Sequence, residues 1–312
     1  MPACGGRASC SPSLAHRCTR ASAKSRRSGR WPRRRKRVRI FAVGIPHQRA
    51  DIVRYKVVIT EIQRYWNHRI HDLEMTDEPV GTRGFFDDLE DYRYDKLRYL
   101  PQLVDFSAYQ GQRLLEVGCG IGTDLARFAA GGARVTGVDL AQTAIDLARK
   151  NFELHGLVAE DLRVANGEAL PYPDASFDVV YGHGVVQYTA DAAQLIRECH
   201  RVLKPGGTGI FMVYNRVSWL NALSKVMKVP LEHEDAPVLV KYSIAEFKKL
   251  LTPFAEVRIV PERFPVKSRL HGGWKGLAFN TLFVGTFNAL PRVWVRPLGW
   301  HLMAFCRKST AA

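Results

Sequence analysis

The 312 residues lack any C-x-x-C pair: Cys4, Cys10 and Cys18 sit near the start, and Cys119, Cys199 and Cys306 are scattered. Zinc ribbons and redox dithiols need closely spaced thiols, so neither is expected, no metal site is expected, and a reducing, cytoplasmic compartment is the simpler reading. Acids are missing altogether from residues 1–40, which hold 13 of the 46 Lys and Arg. The rest of the chain carries 33 basic residues against 30 acidic ones, so most of the formal charge of +16 belongs to the leading segment. A body built to hold nucleic acid would present its excess on a folded surface, and no specific nucleic-acid partner is expected. Long apolar runs are missing too. No stretch of 18 residues is free of charges and breakers, 276–295 coming closest, so no membrane-spanning helix is expected, and no secretory apolar region lies near the start.

What is present divides the chain into four parts. Residues 1–40 are rich in Arg, Ser and Gly, lack apolar periodicity and end in RWPRRRKRVRI. That composition cannot offset the entropy of folding and predicts a disordered basic extension. A transit peptide, a nuclear-localisation or nucleic-acid patch, and an upstream extension without a role all fit it. Residues 41–110 read as a helical cap, with Ile62, Tyr65, Trp66 and Ile70, a break at Pro79–Thr82, then Phe85, Phe86, Leu89, Tyr92 and Leu97. Residues 111–214 alternate short apolar runs (113–117, 134–138, 162–165, 177–182 and 209–214) with helical stretches at 122–131, 142–154 and 191–203. This is the texture of an α/β core with a parallel sheet and helices on both faces. Residues 215–312 complete the sheet through a helix (243–252) and strands at 256–260 and 299–306. An apolar insertion, 265–297, is longer than a connection needs.

The strongest motif is LLEVGCGIGTD, residues 114–124: a strand, an acid at its end, and Gly118, Gly120 and Gly122 opening a helix. Glycines belong where a ligand lies against backbone that a Cβ would displace. After a second strand comes Asp139, placed to accept hydrogen bonds from both hydroxyls of a ribose. Dinucleotide folds favour G-x-G-x-x-G, whereas the spacing here is G-x-G-x-G preceded by Glu116.

Together with VTGVD, ANGEALPYPDASFDVVYGHGVVQY (165–188) and ECHRVLKPGG (198–207), this motif resembles the class I S-adenosylmethionine-dependent methyltransferases, close to the type 11 group. The resemblance implies a Rossmann-like seven-stranded sheet with a reversed last strand, and S-adenosyl-L-methionine as cofactor. It implies that Gly118, Cys119, Gly120 and Gly122 lie under the methionine half, that Glu116 orients the loop and approaches the amino group, that Asp139 holds the ribose, and that Leu140 packs on adenine. Where relatives often place an Asp for the adenine amino group stands Asn166, beside Gly167 and Glu168; its amide oxygen accepts without charge. Tyr181, Gly182, His183 and Tyr188 would face the reactive end. His183 and Tyr188 are the candidate catalytic residues, His183 because an unperturbed pKa of about 6.5 suits proton transfer.

Methyl transfer is an in-line displacement that needs chiefly positioning and exclusion of water. The absence of N-P-P-Y, D-P-P-Y and Pro-Cys sequences, and of a cysteine set, excludes the nucleic-acid and arsenite methyltransferases that carry them. A small-molecule acceptor is left, methylated at oxygen or carbon. Trp274, Phe279, Phe283, Phe287 and Trp294 in the insertion suggest a lid over a lipophilic acceptor such as a quinone precursor, or peripheral membrane contact through 271–297; core packing or a dimer contact explains them as well. LEHEDAP (231–237) reads as a solvated loop rather than a metal site. Two rivals remain at this stage: an NAD-type oxidoreductase, and a non-catalytic cofactor-binding scaffold whose basic tail contacts a partner.

Overall fold

The computed structural model describes residues 49–228, 230–265, 281 and 284–310. The basic extension and most of the apolar insertion lie outside the described residues. In chain order the elements are α1 (Arg49–Asn67), α2 (Arg83–Lys96), α3 (Leu100–Leu103), β1 (Arg113–Val117), α4 (Thr123–Ala130), β2 (Arg134–Asp139), α5 (Gln142–His155), β3 (Asp161–Val164), β4 (Phe177–His183), α6 (Ala192–Val202), β5 (Leu203–Tyr214), α7 (Trp219–Met227), α8 (Ile244–Leu250), β6 (Glu256–Glu262), α9 (Gly285–Ala289), α10 (Arg292–Val295) and β7 (His301–Arg307). The strands form one sheet in the order β3-β2-β1-β4-β5-β7-β6, parallel through β5, with β7 antiparallel to both neighbours.

Period-two alternation divides the core. Leu114, Val135, Val179, Tyr181, Ile210 and Met212 face one layer, where they meet Leu125 and Phe128 of α4 and Leu97 and Leu100 of the cap. Their neighbours Leu115, Val117, Val138, Val180, Phe211 and Val213 face the other, against Leu195, Ile196 and Cys199 of α6 and Phe247 of α8. Covering both faces is what permits the near-continuous apolar strands seen here. Asp191 caps α6 by accepting from Gln194 N–H (3.0 Å), and Ser243 and Glu246 form a capping box on α8.

Two boundaries differ most from the sequence reading. The cap breaks earlier, because α1 ends at Asn67 and a turn-rich stretch with a 3₁₀ turn at Leu73–Met75 runs to Thr82, whose hydroxyl caps α2. β5 begins at Leu203 rather than Gly209, since Leu203 and Thr208 already pair with β4 across a register shift. Strand order reverses at β1, between β2 and β4, so the carboxyl ends of these three strands open the crevice in which ligands bind such sheets.

Candidate active site

A cavity runs along those carboxyl ends beneath α1 and α2. Ile59, Ile62 and Trp66 reach it from α1, and Leu89, Arg93, Lys96 and Leu97 from α2 and the residue following it, in each case at the three- and four-residue spacing of one helix face.

At one end lies the glycine loop. Gly118, Gly120 and Gly122 have φ of 73°, 53° and 80°, the left-handed region that favours glycine. A Cβ on Gly118 would come within 2.8 Å of Val185, while one on Gly120 would meet nothing within 4 Å and would project into open space at the cavity wall. Asp139 braces the loop: Gly120 N–H donates to its Oδ2 and Ala141 N–H to its Oδ1, each at 2.9 Å. Burial raises the Asp139 carboxyl above its usual value, opposed by these backbone donors. Glu116 is buried below the loop, and its Oε2 has no hydrogen-bond partner among the described residues. Burial first, then the nearby Asp124, pushes its carboxyl well up. An orphaned acidic oxygen beside an open backbone cradle fits a ligand that brings an ammonium group, and the Asp139 pair fits a ribose.

The other end is polar. Asp124, in the first turn of α4, accepts from Arg93 Nε (2.7 Å) and Nη2 (2.5 Å), Tyr94 Oη (2.8 Å) and Tyr181 Oη (2.8 Å). Burial alone would raise this carboxyl, but the Arg93 guanidinium outweighs it and holds Asp124 far below the usual range. Arg93 Nη2 also reaches Nδ1 of His183 (3.2 Å), and Tyr99 Oη bridges Nε2 of His183 (3.3 Å) and Nδ1 of His301 (2.5 Å), whose Nε2 meets Arg263 Nη1 (3.1 Å). A guanidinium only donates. Nδ1 of His183 and Nε2 of His301 are therefore acceptors, and both rings direct their single proton at Tyr99. Trp66, Tyr188 and Tyr214 wall the chamber, with ring centroids 5.1 Å apart for Trp66–Tyr188 and 6.1 Å for Tyr188–Tyr214.

Residues 115–211 match the family described as a methyltransferase domain. They are a methyltransferase domain. The ubiquinone biosynthesis O-methyltransferase of Cereibacter sphaeroides is 37% identical over 151 residues, 46% of this chain and 61% of that protein. The malonyl-[acyl-carrier protein] O-methyltransferase of Serratia marcescens is 35% identical over 105 residues, 34% of this chain and 39% of its own length. The chain thus spans less than two thirds of each of these curated relatives. A chain from the complex of the Haloferax volcanii Trm112 methyltransferase activator with a methyltransferase superposes with a TM-score of 0.51 at 19% identity, covering 73% of this chain and 96% of that one, which supports the fold.

Within the methyltransferase domain the structure brings Glu116, Gly118, Cys119, Gly120, Asp139, Leu140, Asn166, Gly167, Glu168, His183 and, from the cap, Trp66 to one cavity, with Tyr188 beside them. Several also make contacts that the sequence did not suggest, and two of the glycines stand off the wall. Gly182 is not among the lining residues; its missing Cβ makes room for Val185 and Phe211. Gly122 also stands behind the wall, close to Ala148 and Phe152 of α5. Cys119 contributes backbone, since its Sγ packs where Gly137 has no Cβ. The Asn166 amide oxygen accepts from Glu168 N–H (3.0 Å) and its Nδ2 donates to Tyr55 Oη (3.0 Å). Glu168 pins the loop after β4, accepting from Thr189 Oγ1 and from Ala190 N–H (2.8 Å). His183 does not keep the free-histidine value: burial, then Arg93, lowers it to about 3.

Sequence reading missed Arg93, Asp124, Arg263 and His301. Asp124 had a signal, as an acid in the first helical turn behind the glycine loop. LEHEDAP is a partly exposed loop, but it is tethered rather than free. Glu232 contacts Lys96 and Arg263, His233 contacts His71 and Tyr65, Glu234 contacts Lys241, and Asp235 contacts Tyr65 and Arg69. It is a strap tying the cap to the sheet. Among the described residues there is no metal-binding group of His, Cys, Asp or Glu, and no helix long and apolar enough to cross a membrane. In the described part of the insertion Val284, Phe287 and Val295 are buried, whereas Val293 and Trp294 are exposed.

Proposed function

We propose that this chain is an S-adenosylmethionine-dependent methyltransferase that methylates an oxygen of a small acceptor. The observation that carries the reading is the Gly118–Gly122 loop braced by Asp139, with the partnerless Glu116 oxygen at its base. The cofactor's sulfonium supplies the activated methyl group. Glu116 would receive the amino group of the methionine half, Asp139 the ribose hydroxyls, and Leu140 the adenine face. The oxygen acceptor is supported by the two relatives named as O-methyltransferases.

The protein's own part is placement. Trp66 and Tyr188 wall the chamber, and α1 is held over the cofactor end by Gln63 Nε2 donating to the Leu140 carbonyl (2.9 Å) and by Asn67 contacting Thr143. His183, with its Nδ1 accepting from Arg93 and its ring held neutral, is a fixed polar wall rather than a free base. Calorimetric titration with S-adenosylmethionine, S-adenosylhomocysteine and NADH tests the reading. Micromolar binding of the two sulfur nucleosides, lost in Asp139→Ala, is expected; preference for NADH, or no binding by folded protein, would sink it.

A further inference from the structure

The polar end of the cavity holds two cations, and the inference drawn from them rests on the proposed methyltransferase activity. Lys96 and Arg263 both line the cavity, with side chains only 11% and 17% exposed. They converge on one atom: Oε1 of Glu232 lies 2.9 Å from Lys96 Nζ and 3.2 Å from Arg263 Nη2. Lys96 has a second acid, Asp72, at 3.0 Å and 3.2 Å. Glu232 is the one carboxylate in contact with Arg263 among the described ion pairs; the other end of that guanidinium meets the neutral His301.

Arg263 is also held in an unfavourable backbone state. Its φ is 58°, and the turn is kept by its carbonyl, which accepts from Trp219 Nε1 (3.0 Å) and Trp300 N–H (3.4 Å). A β-carbon residue in the left-handed region costs free energy, and such strain persists where the surrounding structure over-determines it. Here it accompanies a guanidinium aimed into the cavity.

Glu232 comes from the strap, and it is more exposed (36%) than either cation it contacts. The strap's own tethers, Tyr65, Arg69 and His71, belong to α1 and the turn after it, the elements that roof the chamber. An acceptor that lifted this roof would draw Glu232 away from Arg263. A buried guanidinium left without a counter-charge is costly, so the opening step creates a demand for an anion. We propose that Lys96 and Arg263 are the seat for a carboxylate carried by the acceptor, and that Glu232 is the internal counter-ion which that carboxylate replaces. The walls of Trp66, Tyr188 and Tyr214 suit a flat ring bearing that group.

Benzoate and its uncharged analogue benzamide test the seat by calorimetry on the full chain, with and without S-adenosylhomocysteine. Benzoate is expected to bind at least about tenfold more tightly than benzamide, since charge-assisted bonds to a guanidinium are the stronger kind. Arg263→Met should remove that preference, and Glu232→Gln should increase benzoate affinity by several-fold because the competing carboxylate is gone. Equal affinity for the two probes, no benzoate binding below about 10 mM, or weaker benzoate binding in Glu232→Gln overturns the proposal. If Arg263→Met does not fold, Glu232→Gln and Lys96→Met decide. Charge preference without nucleoside binding would fail the methyltransferase reading alone; nucleoside binding without charge preference would fail the seat alone.

Discussion

Arg93 of α2 and Asp124 of α4 meet through two N–H···O bonds, Nε to Oδ1 at 2.7 Å and Nη2 to Oδ2 at 2.5 Å, with the Asp124 side chain almost wholly buried. This fork ties the cap to the helix that starts at the glycine loop. Arg93→Met strands a buried carboxylate, and the expected loss is about 3–5 kcal/mol in urea denaturation. Arg93→Met combined with Asp124→Asn should cost less than the two singles added, because the second change removes the stranded charge. Strict additivity would show that the two side chains do not act as a pair.

Gly120→Ala separates ligand binding from stability. The new methyl group meets no protein atom within 4 Å, so the folding cost is confined to the left-handed backbone, about 1–2 kcal/mol. It projects where the proposed cofactor would lie. Affinity for S-adenosylhomocysteine should fall by about tenfold or more, a loss of about 1.4 kcal/mol or greater. An unchanged affinity with a normal melting profile would place the nucleoside elsewhere.

Acid should destabilise the fold from pH 6.5 downward. Burial and then Arg93 hold His183 at about 3, and burial and then Arg263 hold His301 well below its ordinary value. Both rings are neutral when folded and titrate near 6.5 when unfolded, so below that pH the unfolded chain binds more protons. Their contribution is complete above pH 6.5 and declines as pH falls toward 3. Each ring adds a slope of about 1.4 kcal/mol per pH unit. Guanidinium midpoints measured at several pH values should fall across this window, and His301→Gln should flatten the fall by about one proton. An identical slope in that variant would contradict the buried neutral state.

Helix α1 should respond to the nucleoside. It carries exposed Arg54, Lys56 and Arg64 and is held across the cofactor end by Gln63 and Asn67. Bound S-adenosylhomocysteine should slow tryptic cleavage within α1 by several-fold, because cleavage follows the population of the open form. Equal rates with and without ligand would mean that α1 does not cover the site.

The glycine loop and Asp139 were legible because their chemistry is local: a strand, a turn and a helix start within a dozen residues, and an acid at the next strand's end. The parallel core was legible for the same reason, through apolar runs of strand length. Arg93, Glu232, Arg263 and His301 were not, since each is an ordinary polar residue in its own neighbourhood and becomes a partner only when the cap, the strap, β6 and β7 converge. His183 was found and its charge state misjudged, because a ring's neighbours 84 and 90 residues away, Tyr99 and Arg93, decide it. Glu168 was found, but not its bonds to Thr189 and Ala190, which approach it only after β4 is paired.

β7 pairs with β5 on one side and with β6 on the other, although β6 precedes it in the chain. On the ribosome, then, β6 emerges before the strand that will hold it. Until His301–Arg307 has been made, the stretch of β5 from Thr208 to Tyr214 presents an open edge able to pair with other nascent chains. The time taken to translate residues 215–300, between β5 and β7, therefore adds to how long the growing protein is exposed to misassembly, and slow codons there would be felt as lost yield rather than lost activity.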